Sequence, residues 1–252
     1  PDNYCPLLNH PLNERVDIVV SSDPEGSEKR TSTVKLASSR EINYLEYYEW
    51  VDKNRELVDK LSDGRLAYLH IPGMSGTWLE RFKREIIEFR LKDGLVIDVR
   101  NNGGGNIDQQ LLDVLERKMY GRWRTRGSIP GRRPGNGFFG PKVVLINERS
   151  FSDAEVFPQG FKDLGLGKLI GLPTGGGVIA TSSYRLMDGS SIRTPLQGVY
   201  TKEGLNLENY GVKPDFYCEI LPLDEINERD PQLELAVKVL LEELDKKEEE
   251  VK

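Results

Sequence analysis

The sequence is short of the residues that most often carry chemistry. Among 252 residues there are two cysteines, Cys5 and Cys218, and two histidines, His10 and His70. Two thiols exclude a disulfide-stapled small fold and any multi-cysteine zinc cluster, although one bridge between them stays open. Isolated histidines and cysteines make no metal site, so no metal and no cofactor is expected. Any catalytic scheme must also manage with very little imidazole. Basic residues are in deficit as well. Lys plus Arg is 35 against 41 Asp plus Glu, a formal net charge of −6. General binding to nucleic acid or to an anionic membrane surface needs a basic face, so both are excluded. No apolar run approaches the ~20 residues of a membrane-spanning helix.

What is there suffices for a core. Hydrophobic residues make up 37%, with three Trp, ten Tyr and eight Phe, which argues against disorder despite 30% charged residues. The length fits one large domain, or one core with a small appendage. The chain begins at Pro1 with no signal-like segment and reads as a trimmed or processed product with sequence upstream.

Val16 to Leu36 alternates apolar and polar residues around SSDPEGSEKR and predicts a hairpin. Ile42 to Leu61 has helical periodicity. Beyond Asp63-Gly64 the pattern becomes regular. Strands are expected at Leu66–Ile71, Leu95–Val99, Lys142–Ile146 and Lys168–Ile170. Between them lie an amphipathic helix over Trp78–Leu91, a second striped by Ile107, Leu111, Leu115 and Met119, and a third over Asp153–Leu164. This alternation predicts an α/β core, a mostly parallel sheet with crossover helices, preceded by a short β-rich segment. Residues 121–140, with six glycines, two prolines and five arginines, read as a long surface loop. Those arginines suit a carboxylate or nucleic-acid ligand only if the loop is not simply solvated, which the overall charge favours. A last helix opens at Asp230-Pro231 and ends in KKEEEVK, expected as a frayed tail.

Chemistry in such sheets gathers where strands end and helices begin. One junction is Asp98-Val99-Arg100-Asn101-Asn102-Gly103-Gly104-Gly105. Three glycines let backbone N–H groups converge, for a phosphate or as an oxyanion hole, or simply make a tight turn. GxxxxGK[ST] is absent, and GxGxxG fails at Asp108. The other junction is Ser150-Phe151-Ser152-Asp153-Ala154-Glu155, where Ser152 is either a helix N-cap or a nucleophile. The GxSxG elbow of ordinary α/β-hydrolases is missing.

In order, DVRNNGGG, SFSDAE, PTGGGV, ENYGVKPD and DPQLELAV, preceded by GRLAYLHIPGM, resemble the tricorn-type branch of the C-terminal-processing serine peptidases, from about Asn43 to Leu241. The resemblance implies a crotonase-like (ClpP-like) peptidase core over 66–252, a linking helix over 41–65, and in residues 1–40 the end of a PDZ-like module. It implies Ser152 as nucleophile, with an oxyanion hole from the N–H of Asp153 and from Gly104 or Gly105. The branch with a serine–lysine dyad carries its lysine 25 residues past the serine, which here is Gly177, so that dyad is not expected. The tricorn branch uses a histidine from an upstream helical domain, with a glutamate matching Glu208 in support. No matching histidine motif is present. His10 does not fit, and His70, in a strand motif, reads first as structural and only second as the base. The resemblance therefore implies hydrolysis of peptides or unfolded polypeptide, cytoplasmic location and an option of homo-oligomers. The alternatives are an inactive peptide-binding or scaffold protein that keeps the fold, or a small-molecule or phosphate module using Gly103–Gly105.

Overall fold

The computed structural model describes residues 14–127 and 130–250; Cys5, His10, the first third of the 1–40 segment and the last residues of the tail lie outside them. The chain divides into two compact units, one up to Lys53 and one from Asn54.

In the first unit, β1 (Arg15–Ser21) and β2 (Lys29–Lys35) form an antiparallel hairpin with Val16 opposite Val34. Asp23 closes its turn, accepting hydrogen bonds from Ser27 N–H, Ser27 Oγ and Glu28 N–H. Helix α1 (Ser39–Leu61) starts on a reciprocal cap: Ser38 N–H and Oγ donate to Glu41 Oε2, and Glu41 N–H donates to Ser38 Oγ.

The second unit is built on a five-stranded, fully parallel sheet. Its strands are β3 (Leu66–His70), β4 (Gly94–Asp98), β7 (Lys142–Ile146), β8 (Lys168–Gly171) and β11 (Phe216–Tyr217). They lie in the order β11-β8-β7-β4-β3, so the chain steps one way across the sheet without reversing. Right-handed crossovers then place α2 (Gly76–Glu88), α3 (Asp108–Leu115) and α4 (Asp153–Asp163) on one face. Ala67, Leu69, Leu95, Ile97, Val144, Ile146 and Leu169 join Phe82, Ile86, Leu111, Phe157 and Phe161 of those helices in one core. The alternate strand residues, among them Tyr68, Val96, Val143, Leu145 and Ile170, are equally buried. Helix α6 (Pro231–Glu250) packs on β4, β7 and β8. Its first turn is capped by Asp230, which accepts the Leu233 N–H at 2.9 Å. Burial on both faces is why β3, β4 and β7 read as continuous apolar runs.

Three expectations need correction, and one pair of strands was not expected at all. The 121–140 segment is not all loop: β5 (Gly121–Trp123) pairs antiparallel with β6 (Gly131–Arg133). The second core helix stops at Leu115, leaving Met119 exposed beyond it. The C-terminal helix runs to Glu250 instead of fraying at its Lys/Glu tail, helped by the Lys247–Glu243 pair one turn apart at 2.8 Å. A second hairpin, β9 (Ala180–Arg185) with β10 (Ser191–Gln197), has no counterpart in the sequence reading. Almost every residue in it is exposed, so no face imposes an apolar alternation. The short α5 (Pro222–Ile226) precedes α6.

Candidate active site

The two glycine- and serine-rich junctions leave the C-terminal ends of β4 and β7, which are neighbours in the sheet. Side chains stitch them together. Ser150 Oγ donates to Val99 O at 2.9 Å, Asn147 and Asn101 bond reciprocally, and Phe151 N–H donates to Asn102 O at 2.9 Å. Ser150 is fully buried, so of the two serines in SFSDAE it is the structural one.

Ser152 is different. It heads α4 with φ 56° and ψ −122°, a left-handed conformation for a residue with a side chain, which costs about 1–3 kcal/mol. Its side chain makes no capping hydrogen bond, and among the described residues none bonds to its hydroxyl. The backbone around it is held tightly. Ser152 N–H lies 3.0 Å from Gly177 O and 3.1 Å from Glu155 Oε1. Glu155 is wholly buried and is the centre of this arrangement. It accepts Gly177 N–H at 2.8 Å on Oε1, and Thr174 Oγ1 at 2.5 Å and Gly176 N–H at 2.7 Å on Oε2. Four donors thus converge on one carboxylate and fix the 174–177 turn against the serine. Gly177, where the other branch places its lysine, is part of that contact.

The glycine turn meets the serine from the other side. Gly104 has φ +97°, and a Cβ there would lie 2.7 Å from Ser152 Cβ, 2.8 Å from Phe151 O and 3.1 Å from Asp153 N. Gly105 is forced by Met74, whose carbonyl oxygen would sit 1.8 Å from an added Cβ. Asn102, fully buried, donates to Ile71 O at 2.7 Å and accepts Gly104 N–H at 2.8 Å, so that N–H is committed. The N–H groups of Gly105 and Asp153 have no acceptor among the described residues. Asp153 is the first residue of α4, where the positive end of the helix dipole adds to its own N–H.

Glu208 accepts Val178 and Ile179 N–H on Oε2 at 2.7 and 2.8 Å, and Asn209 N–H donates to Gly176 O. The structure therefore joins Glu208 to Ser152 through the 176–179 segment, with no direct bond. His70 is not brought to Ser152. It is buried at the end of β3, with Nε2 3.3 Å from Arg100 O, and opposite Asp98 in register. Burial holds its pKa below the ordinary histidine value, although Asp98 pulls the other way.

The DVR motif does a different task. Asp98 is fully buried; burial alone would raise its pKa, yet Arg100 beside it holds the carboxyl below the usual range. Arg100 in turn bonds Asp230, the cap of α6, at 3.1 Å and Gln232 on α6 at 2.9 Å, locking the end of β4 to the C-terminal helix. Tyr68 donates to Asp98 and accepts from Asn54, with burial first driving its pKa well up. Cys218 is a free thiol. No cluster of metal-binding side chains occurs among the described residues, and none of their helices is long and apolar enough to cross a membrane.

Sequence reasoning missed Glu155, Asn102 and Thr174. Only Glu155 had a signal, the Ser-x-x-Glu spacing of a helix start.

A strained serine at a strand-to-helix turn, close to uncommitted backbone donors, is an arrangement of the kind that serine hydrolases on α/β sheets use. The model of peptidase family S41 matches residues 65–218, and the chain belongs to that family. It is 36% identical over 222 residues to the tricorn protease of Thermoplasma acidophilum, covering 87% of this chain and 20% of that protein. A tricorn protease homolog of Saccharolobus solfataricus is 38% identical over 242 residues, covering 94% and 22%. The crystal structure of the tricorn protease superposes with a TM-score of 0.82 at 35% identity, over 93% of this chain and 23% of that one. The chain thus spans about a fifth of the length of these relatives.

Proposed function

We propose that this chain is the core of a tricorn-type serine endopeptidase. Ser152 Oγ attacks the carbonyl carbon of a peptide bond while its proton passes to a base. The resulting oxyanion accepts hydrogen bonds from the Asp153 N–H and from the glycine turn, where Gly105 rather than Gly104 has the uncommitted N–H. The C–N bond then breaks, the base returns its proton to the leaving amine, and water hydrolyses the Ser152 ester. No described side chain serves Ser152 as base; by likeness to the tricorn branch the base is a histidine from outside the described residues, with Glu208 supporting it through its second carboxylate oxygen. The observation that carries this reading is the strained, unengaged Ser152 beside the free N–H of Asp153.

The substrate class is peptide or unfolded polypeptide, as the names of the relatives suggest, and cytoplasmic location and homo-oligomers follow by the same likeness. Residues 1–40 as the end of a PDZ-like module, 41–65 as linker and 66–252 as core remain the proposed division. In the full-length protein, Ser152→Ala should abolish peptide turnover while leaving peptide affinity within about twofold. Turnover retained in that variant would contradict the reading. The absence of a base near Ser152 among the described residues, with Gly177 at the lysine position, favours a second reading, an inactive peptide-binding or scaffold protein, for which the full-length parent would bind peptides and cleave none.

A further inference from the structure

Asp153 contributes more than its backbone. Its side chain, 6% exposed, reaches from α4 to the start of α3, where Oδ2 accepts the Ile107 N–H at 2.6 Å and the Asp108 N–H at 3.2 Å. Ile107 lies two residues past Gly105. One side chain therefore ties the helix that offers the Asp153 N–H to the turn that offers the Gly105 N–H. A further group meets it there: Asp108, the first residue of α3, donates its N–H to the same Asp153 carboxyl and brings its own carboxyl beside it, and a hydrogen bond between the two carboxyls is among the causes that raise the Asp153 pKa.

Two carboxyl groups in hydrogen-bond contact hold together only with a proton between them; both ionised, they repel. Facing Asp153 are Asp108 from α3 and the two N–H groups of the turn. The nearest acid on its own helix, Glu155, is spent on Thr174, Gly176 and Gly177. We propose that Asp108 and Asp153 form a carboxyl pair whose shared proton keeps the two halves of the oxyanion hole at their working separation. Asp108 acts through Asp153 and is a positioning residue. Burial first, and then the Asp108 hydrogen bond, raise the Asp153 carboxyl to about 7, which puts loss of the shared proton in the neutral range. The proposal rests on Ser152 being the nucleophile.

The test compares the parent chain with Asp108→Asn, whose amide donates a hydrogen bond where the shared proton lies and cannot ionise. The rate of Ser152 labelling by a fluorophosphonate is measured from pH 6 to pH 9 in a fixed, high concentration of free imidazole. The ratio of variant to parent cancels titration of whatever base serves. It should be near one at pH 6 and rise to about tenfold at pH 8.5, a fraction of the ~10²–10³ that a lost oxyanion donor costs. Asp113→Asn, an equal charge change at an exposed position of α3, should leave its ratio flat. Labelled Ser152 with a flat Asp108→Asn ratio would overturn the proposal alone. No adduct on Ser152 at any pH, with free imidazole present, would overturn the nucleophile reading beneath it. Should Asp108→Asn fail to fold, carboxyl carbon NMR of the parent decides: one of the two groups titrating near 7 supports the pair, and ordinary values for both overturn it.

Discussion

Glu155 is where removal of one side chain should be felt most. Its carboxylate accepts from Ser152 N–H, Gly176 N–H, Gly177 N–H and Thr174 Oγ1, and it is wholly buried. Hydrogen bonds to a charged group are worth about 1.5–3 kcal/mol each, but they are not additive. Returning the carboxylate to water in the parent's unfolded state offsets part of the sum. Leaving buried partners uncompensated typically costs about 3–5 kcal/mol, and we adopt that range for Glu155→Ala. At about 2–4 °C per kcal/mol for a chain of this size, Tm should fall by roughly 6–20 °C. Glu155→Gln keeps the shape, yet its NH2 group faces two donors, so about half the loss is expected by the same per-bond scale. Without that anchor the 174–177 segment is loosened and Ser152 keeps only its bond to Gly177 O, so fluorophosphonate labelling should drop by at least ~10²-fold. Urea and thermal titrations give the stability, and mass spectrometry gives the labelling. A Glu155→Ala chain with Tm within ~2 °C of the parent and normal labelling would refute the reasoning.

Three further outcomes follow from single contacts. Gly104→Ala forces a Cβ to within 2.7 Å of Ser152 Cβ at a positive φ, so it should cost about 1–3 kcal/mol in urea titration and most of the labelling; unchanged labelling would contradict the close approach. Arg100→Met leaves Asp98 ionised and unpaired in the core, a loss of about 3–5 kcal/mol at pH 7. In the parent, Asp98 titrates below its unfolded value, so its contribution is full above about pH 4 and is lost as pH falls through the folded pKa; the variant should lack that acid-side loss. Lys142 sits at the start of β7, where burial first, then Lys247, lowers its pKa to about 8. Its unfolded chain binds more protons between that value and 10.5, so parental stability rises with pH across the window. Lys142→Met should therefore stabilise by about 1–3 kcal/mol at pH 7, a gain that shrinks steadily above pH 8; a gain independent of pH would contradict the burial argument.

The layers of the sheet were legible because burial on both faces writes long apolar runs at β3, β4 and β7, and burial on one face writes stripes on α2 and α4. The β9–β10 hairpin was not, since exposed Ser, Thr and Arg on both faces leave no periodicity. Helix ends were misjudged at Met119, an apolar residue with nothing to pack on, and at the acidic tail, where side-chain pairs within α6 extend the helix. At the site, composition located both junctions, but the roles of the two serines depended on depth and backbone angle. Ser150 bonds across to Val99, while Ser152 is strained and open, and their neighbours in sequence are too alike to separate them. The ties that position the site run between distant segments, Glu155 to 174–177 and Arg100 to Asp230 and Gln232. Such partners become adjacent only after the sheet forms.

The central claim is that Ser152 has a formed oxyanion hole and lacks, among the described residues, only a base. Labelling the chain with a fluorophosphonate in increasing concentrations of free imidazole tests it most directly, because imidazole can take the place of the missing histidine. The account predicts one adduct, mapped to Ser152, at a rate that rises with imidazole and is absent in Ser152→Ala. An adduct on another serine, or no adduct at Ser152 at any imidazole concentration, would contradict it.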